Sequence, residues 1–323
     1  MRRIAGAALA LCITFAASAA DDVIRKGFNV SQGGTLRLDG AYGAIKVVTG
    51  GTGVAIEITR EAHGNKAEQR MASHKISFSQ QGNDVVIDSK LDDDRNSGWF
   101  NWRDDDDYEV QWNIRVPARY NVQVETSAGS IDLANIGGTV DARTSGGSIK
   151  TGRLAGVSTL KTSGGSISVD GADAKLDVHT SGGSISIGDT KGPVEAKTSG
   201  GSITLARIDG DVVARTSGGN IRIEDAAGSV DASTSGGSIN ARISRQPRGD
   251  SKLSTSGGTV TVSLAPSIRV DLDARASGGG VRSDVPVTVV GTQEDDEIRG
   301  QINGGGPKLT LRTSGGGVRV RPL

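Results

Sequence analysis

Cysteine occurs once in the 323 residues, as Cys12. It lies in a stretch that reads Arg2-Arg3, an apolar run from Ile4 to Phe15, then Ala17-Ser18-Ala19-Ala20, the charged, apolar and small-residue order of a secretory signal. The run is shorter than the ~20 residues of a spanning helix, so residues 1–20 are expected to be a leader cleaved near Ala19 or Ala20, with no membrane span left afterwards. Leu11 stands before Cys12, where a lipoprotein signal wants a small residue. The expected mature chain has no disulfide, no thiol nucleophile and no Cys-ligated metal. Aromatic residues make up 3% of the chain, and none follows Asn121, which denies that region the ring platforms that anchor sugars or partner proteins. A charge excess is missing too: 37 basic residues face 37 acidic ones, which excludes the basic surplus of a nucleic-acid or anionic-membrane binder.

Glycine, by contrast, is abundant, with 48 copies, and it is periodic. Thr-Ser-Gly-Gly begins at Thr144, Thr162, Thr180, Thr198, Thr216 and Thr234, a fixed step of 18 residues. The variant at Thr126 opens the series, and looser copies follow at Thr255, Ala276 and Thr313. A fixed step signals one copied structural unit. Counting Thr as position 0, apolar residues fall at +5, +7, +10, +14 and +16, as in Ile203, Leu205, Ile208, Val212 and Ala214. Alternation by two is a strand signal, so each unit is expected to carry two strands of four to six residues. One strand is entered through Gly-Gly and the other through a corner that ends in Gly (Gly138, Gly156, Gly192, Gly210, Gly228), with glycine expected to supply positive φ.

An 18-residue coil cannot stand alone. Five buried side chains at roughly 1.5–3 kcal/mol each do not offset a backbone ordering cost of roughly 1–2 kcal/mol per residue. Stacking at about 4.8 Å joins the coils through strand hydrogen bonds and merges their apolar faces. The fold class is therefore all-β, a single-stranded parallel β-solenoid. The 2, 3, 4, 2 spacing excludes a hexapeptide helix, and Gly-Gly-Ser-Ile lacks the Asp of a calcium-binding β-roll. The mixed outward slot at +6 (Asp132, Lys150, Ser168, Ser186, Thr204, Arg222, Asn240) excludes an ice-binding ladder.

Residues 21–120 differ from the repeat region at 121–323. Alternating segments at Thr35–Leu38, Ala44–Val48, Val54–Thr59, Lys75–Ser79, Asp84–Asp88 and Tyr108–Val116 predict strands, and Asn65 with Glu68 predicts a two-turn helix over Ala67–Ser73. This region reads as an N-terminal cap or irregular first coils, which an open sheet end requires. After Thr234 the step stretches to 21, with extra residues at Arg245–Asp250 that belong in a corner. The segment from Val281 to Gly306 reads as irregular, with Glu294 to Glu297 in a solvated loop. Arg319, Arg321 and Pro322 read as devices that blunt a terminal strand edge.

These features resemble the bacterial putative-adhesin family of β-strand-repeat proteins, a domain of unknown function. The resemblance rests on Val116-Pro117 leading through Val122 and Val124 into Thr126-Ser-Ala-Gly-Ser-Ile, on the serial Thr-Ser-Gly-Gly-Ser-Ile units, and on Thr313-Ser-Gly-Gly-Gly-Val. It implies an exported solenoid in or on the cell envelope, in the periplasm, at the surface or outside the cell, and brings no catalytic or ligand residues.

Of the three histidines, His179 occupies the slot before Thr that Arg143, Lys161, Lys197 and Arg215 occupy in neighbouring coils. The repeat serines lack the Gly-x-Ser-x-Gly elbow of a hydrolase and read as turn residues. No catalytic residue, metal site or cofactor is expected. Two residues before the basic slot stand Asp141, Asp177, Glu195, Asp231 and Asp273. The two columns read as solubility and register control, or as a zwitterionic strip for a polymer. The expected binding site is the aromatic and acidic stretch Trp99, Phe100, Trp102 and Asp104, Asp105, Asp106, Asp107, whose rings stand among carboxylates where a core is implausible. The expected function is non-enzymatic binding at the cell surface or envelope, to envelope polysaccharide or a surface protein. A structural scaffold and a polysaccharide-acting enzyme on a β-helix are the alternatives.

Overall fold

The computed structural model describes residues 19–63, 67–91, 108–290 and 294–323. Each 18-residue unit lays one strand in each of two parallel sheets. In the Thr198 coil these are Ile203–Ile208 and Val212–Arg215. Ile203 pairs with Ile185 behind it and Ile221 ahead, and Val212 with Val194 and Val230. The register equals the sequence step, so every slot of the unit becomes a column along the solenoid. Ile203, Leu205, Ile208, Val212 and Ala214 are buried while Thr204 between them is exposed, which gives one apolar seam between the sheets.

The corners correct one expectation. None of the repeat glycines has a left-handed φ; the positive values belong to end-coil and turn glycines such as Gly43, at 92°, and Gly305, at 82°. The repeat glycines are set by close approach instead. A Cβ on Gly201 would lie 2.1 Å from the Gly183 carbonyl oxygen, and one on Gly210 would lie 2.5 Å from the Gly192 carbonyl. Stacked corners put backbone on backbone and leave little room for a side chain at these two slots.

Thr at position 0 closes the corner. It is buried, its Oγ1 donates to the carbonyl of the preceding coil's second glycine, as Thr198 to Gly183 at 2.8 Å, and it accepts from its own Gly201 N–H at 3.3 Å. The serine at +4 extends this ladder, since Ser202 N–H donates to Ser184 Oγ at 3.2 Å.

Both ends of the solenoid place coils out of chain order. At the start, the coil Thr35–Ala41 and Ala44–Thr49 lies between the coil at 121–133 and a terminal coil made of Asp84–Leu91 and Tyr108–Val116. Val54–His63 runs antiparallel on Tyr108–Val116, and Ala19–Phe28 antiparallel on Val54–His63. His74–Gln81 covers Asp84–Leu91. The six strands expected here are present, the helix spans Ala67–Ser73, and Ala19–Phe28 is an additional strand. Trp112 is fully buried with Val110 and Ile114, and its Nε1 donates to the Tyr42 carbonyl at 2.9 Å.

The far end overturns two expectations. Val281 to Gly306 is not irregular among its described residues: Val281–Ser283, Thr288–Val289 and Glu297–Ile302 are strands, the last antiparallel to Val270–Ala276. Nor does the last copy form an edge. Lys308–Thr313 inserts between Ser251–Thr255 and Val270–Ala276, and Val318–Pro322 between Val260–Leu264 and Val281–Ser283. Arg319 and Arg321 thus project from an interior coil. Arg245–Asp250 does lie in a corner, between Ile239–Ile243 and Ser251–Thr255.

Candidate functional site

A strand's outward residues are free of packing, so what stands in those columns is set by something other than the core. On the edge that carries the Thr-Ser-Gly-Gly corners, the slot before Thr holds Arg143, Lys161, His179, Lys197 and Arg215 on five successive coils. Together with the serine just after Thr they line an open groove of about 790 Å³ that runs along the solenoid from Glu125 to Ser235.

Carboxylates back the cation column without lining the groove between Arg143 and Arg215. Arg143 Nη2 lies 2.7 Å from Asp141 Oδ2, Lys197 bonds Glu195, and Arg215 bonds Asp231 of the next coil. His179 Nε2 is 2.9 Å from Asp177 Oδ1 but off the hydrogen-bond line, so the contact is an ion pair whenever the ring is protonated. The acidic column has gaps at Thr159 and Val213. Lys161, opposite the first gap, has no carboxylate within ion-pair distance among the described residues. The Lys197 hydrogen bond holds the Glu195 carboxyl below its usual range, with a further contribution from the charges of His179 and Lys175. These pairs are half-buried at the groove wall and open to solvent on one side, and each is worth roughly 0–1 kcal/mol.

The two serine columns of the unit differ. The hydroxyl at +4 is spent on the next coil's N–H. At +1 only the backbone is engaged, as where Gly182 N–H donates to the Ser163 carbonyl at 2.9 Å. The exposed hydroxyls of Ser163, Ser181, Ser199 and Ser217 make no protein hydrogen bond among the described residues and face the groove.

Trp99, Phe100, Trp102 and Asp104, Asp105, Asp106 and Asp107 lie outside the described residues. The positions bracketing them are described: Leu91 ends one strand of the terminal coil and Tyr108 begins the other, on the edge where Thr-Ser-Gly-Gly stands in regular coils. Of the two charge columns, the basic one lines the groove and the acidic one lies behind it.

Sequence reasoning missed a polar cluster in the terminal coil. His74 Nε2 lies 2.8 Å from Ser89 Oγ and its Nδ1 2.5 Å from the Tyr108 hydroxyl. Burial, then the charge of Arg60, lowers the His74 pKa to about 4. Ser89 is itself buried, so the pair gives no reachable nucleophile; it ties three strands together. Its members lie far apart in the chain, and no motif spacing marks them. On the opposite corners, hydrogen bonds from Arg153 and Lys191 pull the Asp173 carboxyl down to about 2.

The fold and the groove define a class, the polar-faced parallel β-solenoid. Residues 207–321 match the model of the Toastrack DUF4097 family, in agreement with the likeness carried by the Thr-Ser-Gly-Gly units. No curated protein matches the chain. Among solved structures, the chain is similar to a putative adhesin from Bacteroides fragilis at 10% identity and a TM-score of 0.31, covering 94% of this chain and 97% of that one. A putative cell adhesion protein from Clostridium sporogenes gives 12% and 0.25, with 95% and 100% covered. A putative adhesin from Parabacteroides merdae gives 12% and 0.31, with 94% and 96% covered.

Proposed function

We propose that the protein is exported and acts at the cell surface or envelope by binding rather than by catalysis, with the corner groove as its contact surface. The observation that carries this reading is the column of groove-facing hydroxyls at +1, which the fold does not use, beside a column of five side chains that are cationic or become so on protonation. The fold accounts for the threonine, the crowded second glycine and the +4 serine of the unit, and leaves these two columns unexplained.

The test is co-sedimentation of the purified protein with cell-envelope fractions, using wild type, a groove variant (K161E/K197E) and the ring variant W99A/F100A/W102A. Saturable binding that is lost in the groove variant is the expected result. Loss only in the ring variant would move the contact to the acidic and aromatic stretch. Absence of saturable binding to any fraction would favour a scaffold, and turnover of a polymer by wild type would make the protein an enzyme.

A further inference from the structure

Resting on that reading, we propose that the groove takes one extended chain of an acidic polysaccharide, with an anionic group on successive sugars, laid along the solenoid axis. The cation column sets the chemistry. An outward slot needs only to be polar, as the +6 column of the other sheet shows with its mixture of Lys150, Ser168, Ser186, Thr204 and Arg222. Like charges one coil apart repel, so five successive positions of cationic type are not what register or solubility alone requires. Lys161 shows this most clearly, because Thr159 stands where a carboxylate would offset it.

Spacing sets the kind of polymer. Coils about 4.8 Å apart present one basic side chain per step, close to the advance of one pyranose ring along an extended chain. The hydroxyls at +1 repeat on the same step and can meet sugar hydroxyls between the anionic groups. Single-stranded nucleic acid is held by aromatic stacking beside the charged track, and no aromatic residue follows Asn121. A neutral glycan would need the same rings. The basic side chains stand in single file, one per coil and backed by carboxylates, which suits a single chain. Glu125 at one end and Ser233 at the other end the column, which limits the footprint to about five sugars, one per coil.

The experiment measures binding of the full mature chain to polygalacturonate, to neutral dextran and to an oligothymidylate by calorimetry across a salt series. Polygalacturonate should bind, with log K falling against log salt at a slope of about −3, as four fixed cations on a single-stranded polyanion give at ~0.7 each. K161E should weaken it by at least about tenfold, while K150E, an equal charge change on the other sheet, should change it less than about twofold. Removing the hydroxyls in S163A/S181A/S199A should weaken it without altering the salt slope. Surface changes of this kind leave folding within ~0.5 kcal/mol, which thermal melting verifies.

Equal losses in K161E and K150E would overturn the groove as the site. Tighter binding of the oligothymidylate, or equal binding of dextran, would overturn the polymer class. Failure of polygalacturonate while envelope fractions still bind would also overturn the polymer class and leave the surface-binding reading standing. Failure of both would take that reading down as well.

Discussion

The two glycines of the repeated phrase do different things, and only the structure separates them. A Cβ on Gly201 would lie 2.1 Å from the Gly183 carbonyl, whereas one on Gly200 would lie 3.2 Å from the Gly182 carbonyl. Gly201→Ala should therefore force two backbones apart and cost about 1–3 kcal/mol, as overpacking does, while Gly200→Ala should stay within ~1 kcal/mol. Thermal melting of the two single variants decides, and equal shifts would refute the close-approach account. The sequence shows that glycine is required at this corner but not why, because a positive φ and a crowded Cβ leave the same mark. His74 carries a second residue-level expectation. Its folded pKa of about 4 lies below the ordinary 6.5, so the unfolded chain binds more protons between those values. The stability contributed by the neutral ring is complete above pH 6.5 and is lost as pH falls towards 4, up to about 3 kcal/mol. Denaturant melts across that window should show the loss in wild type, and H74Q, which removes the titrating ring, should show less.

The coil is the element that alternation made legible. Inward positions such as Ile203 are buried and their neighbours such as Thr204 exposed, as period two demands. Ile203→Asp should cost about 3–5 kcal/mol by placing an unpaired charge in the seam, while Thr204→Asp should be tolerated; matching melting shifts at the two sites would overturn the faces. Modularity follows from the same pattern. Removing the 18 residues 198–215 keeps every column in register and should leave a folded, shorter rod. Removing nine would delete one strand and set apolar slots against outward ones, so equal melting temperatures for the two deletions would refute the two-strand coil. The N-terminal strands were legible on the same ground, yet their antiparallel partners were not, because alternation reports a face and not a neighbour. Of the candidate site, the charge columns were legible, since they need only the repeat and the strand's outward parity. The difference between the two serine columns was not: the +1 and +4 hydroxyls are chemically identical, and only the hydrogen-bond ladder distinguishes them.

For the whole molecule, chain order and spatial order part company at both ends, and a repeat pattern cannot reveal this because every copy offers neighbouring coils the same apolar slots. The last coil shows the consequence. Lys308–Thr313 fills the space between Ser251–Thr255 and Val270–Ala276, so it carries pairing on both sides although it comes from the chain's end. The crossover that precedes the Val270 strand is held at that two-coil span. Gln246 and Arg269 exchange side-chain and backbone hydrogen bonds at 2.9 Å, and Asn303 Nδ2 donates to the carbonyls of Pro266 and Ile268 at 2.9 and 2.7 Å. Asp273 takes Arg312 at 2.7 Å and Lys308 at 3.1 Å from the inserted coil. Ending the chain at Gly306 should then do more than shorten the rod, because it leaves two facing sheet edges a coil apart and strips Asp273 of two of its cations. Limited proteolysis of the truncated protein should cut between residues 265 and 306 while the coils from Thr126 to Thr234 stay protected, and its melting temperature should fall below that of the 198–215 deletion. Continued protection of 265–306 would mean that the Val270 strand re-pairs directly on Ser251–Thr255, and that the insertion is a variation in path rather than a lock on the end of the solenoid.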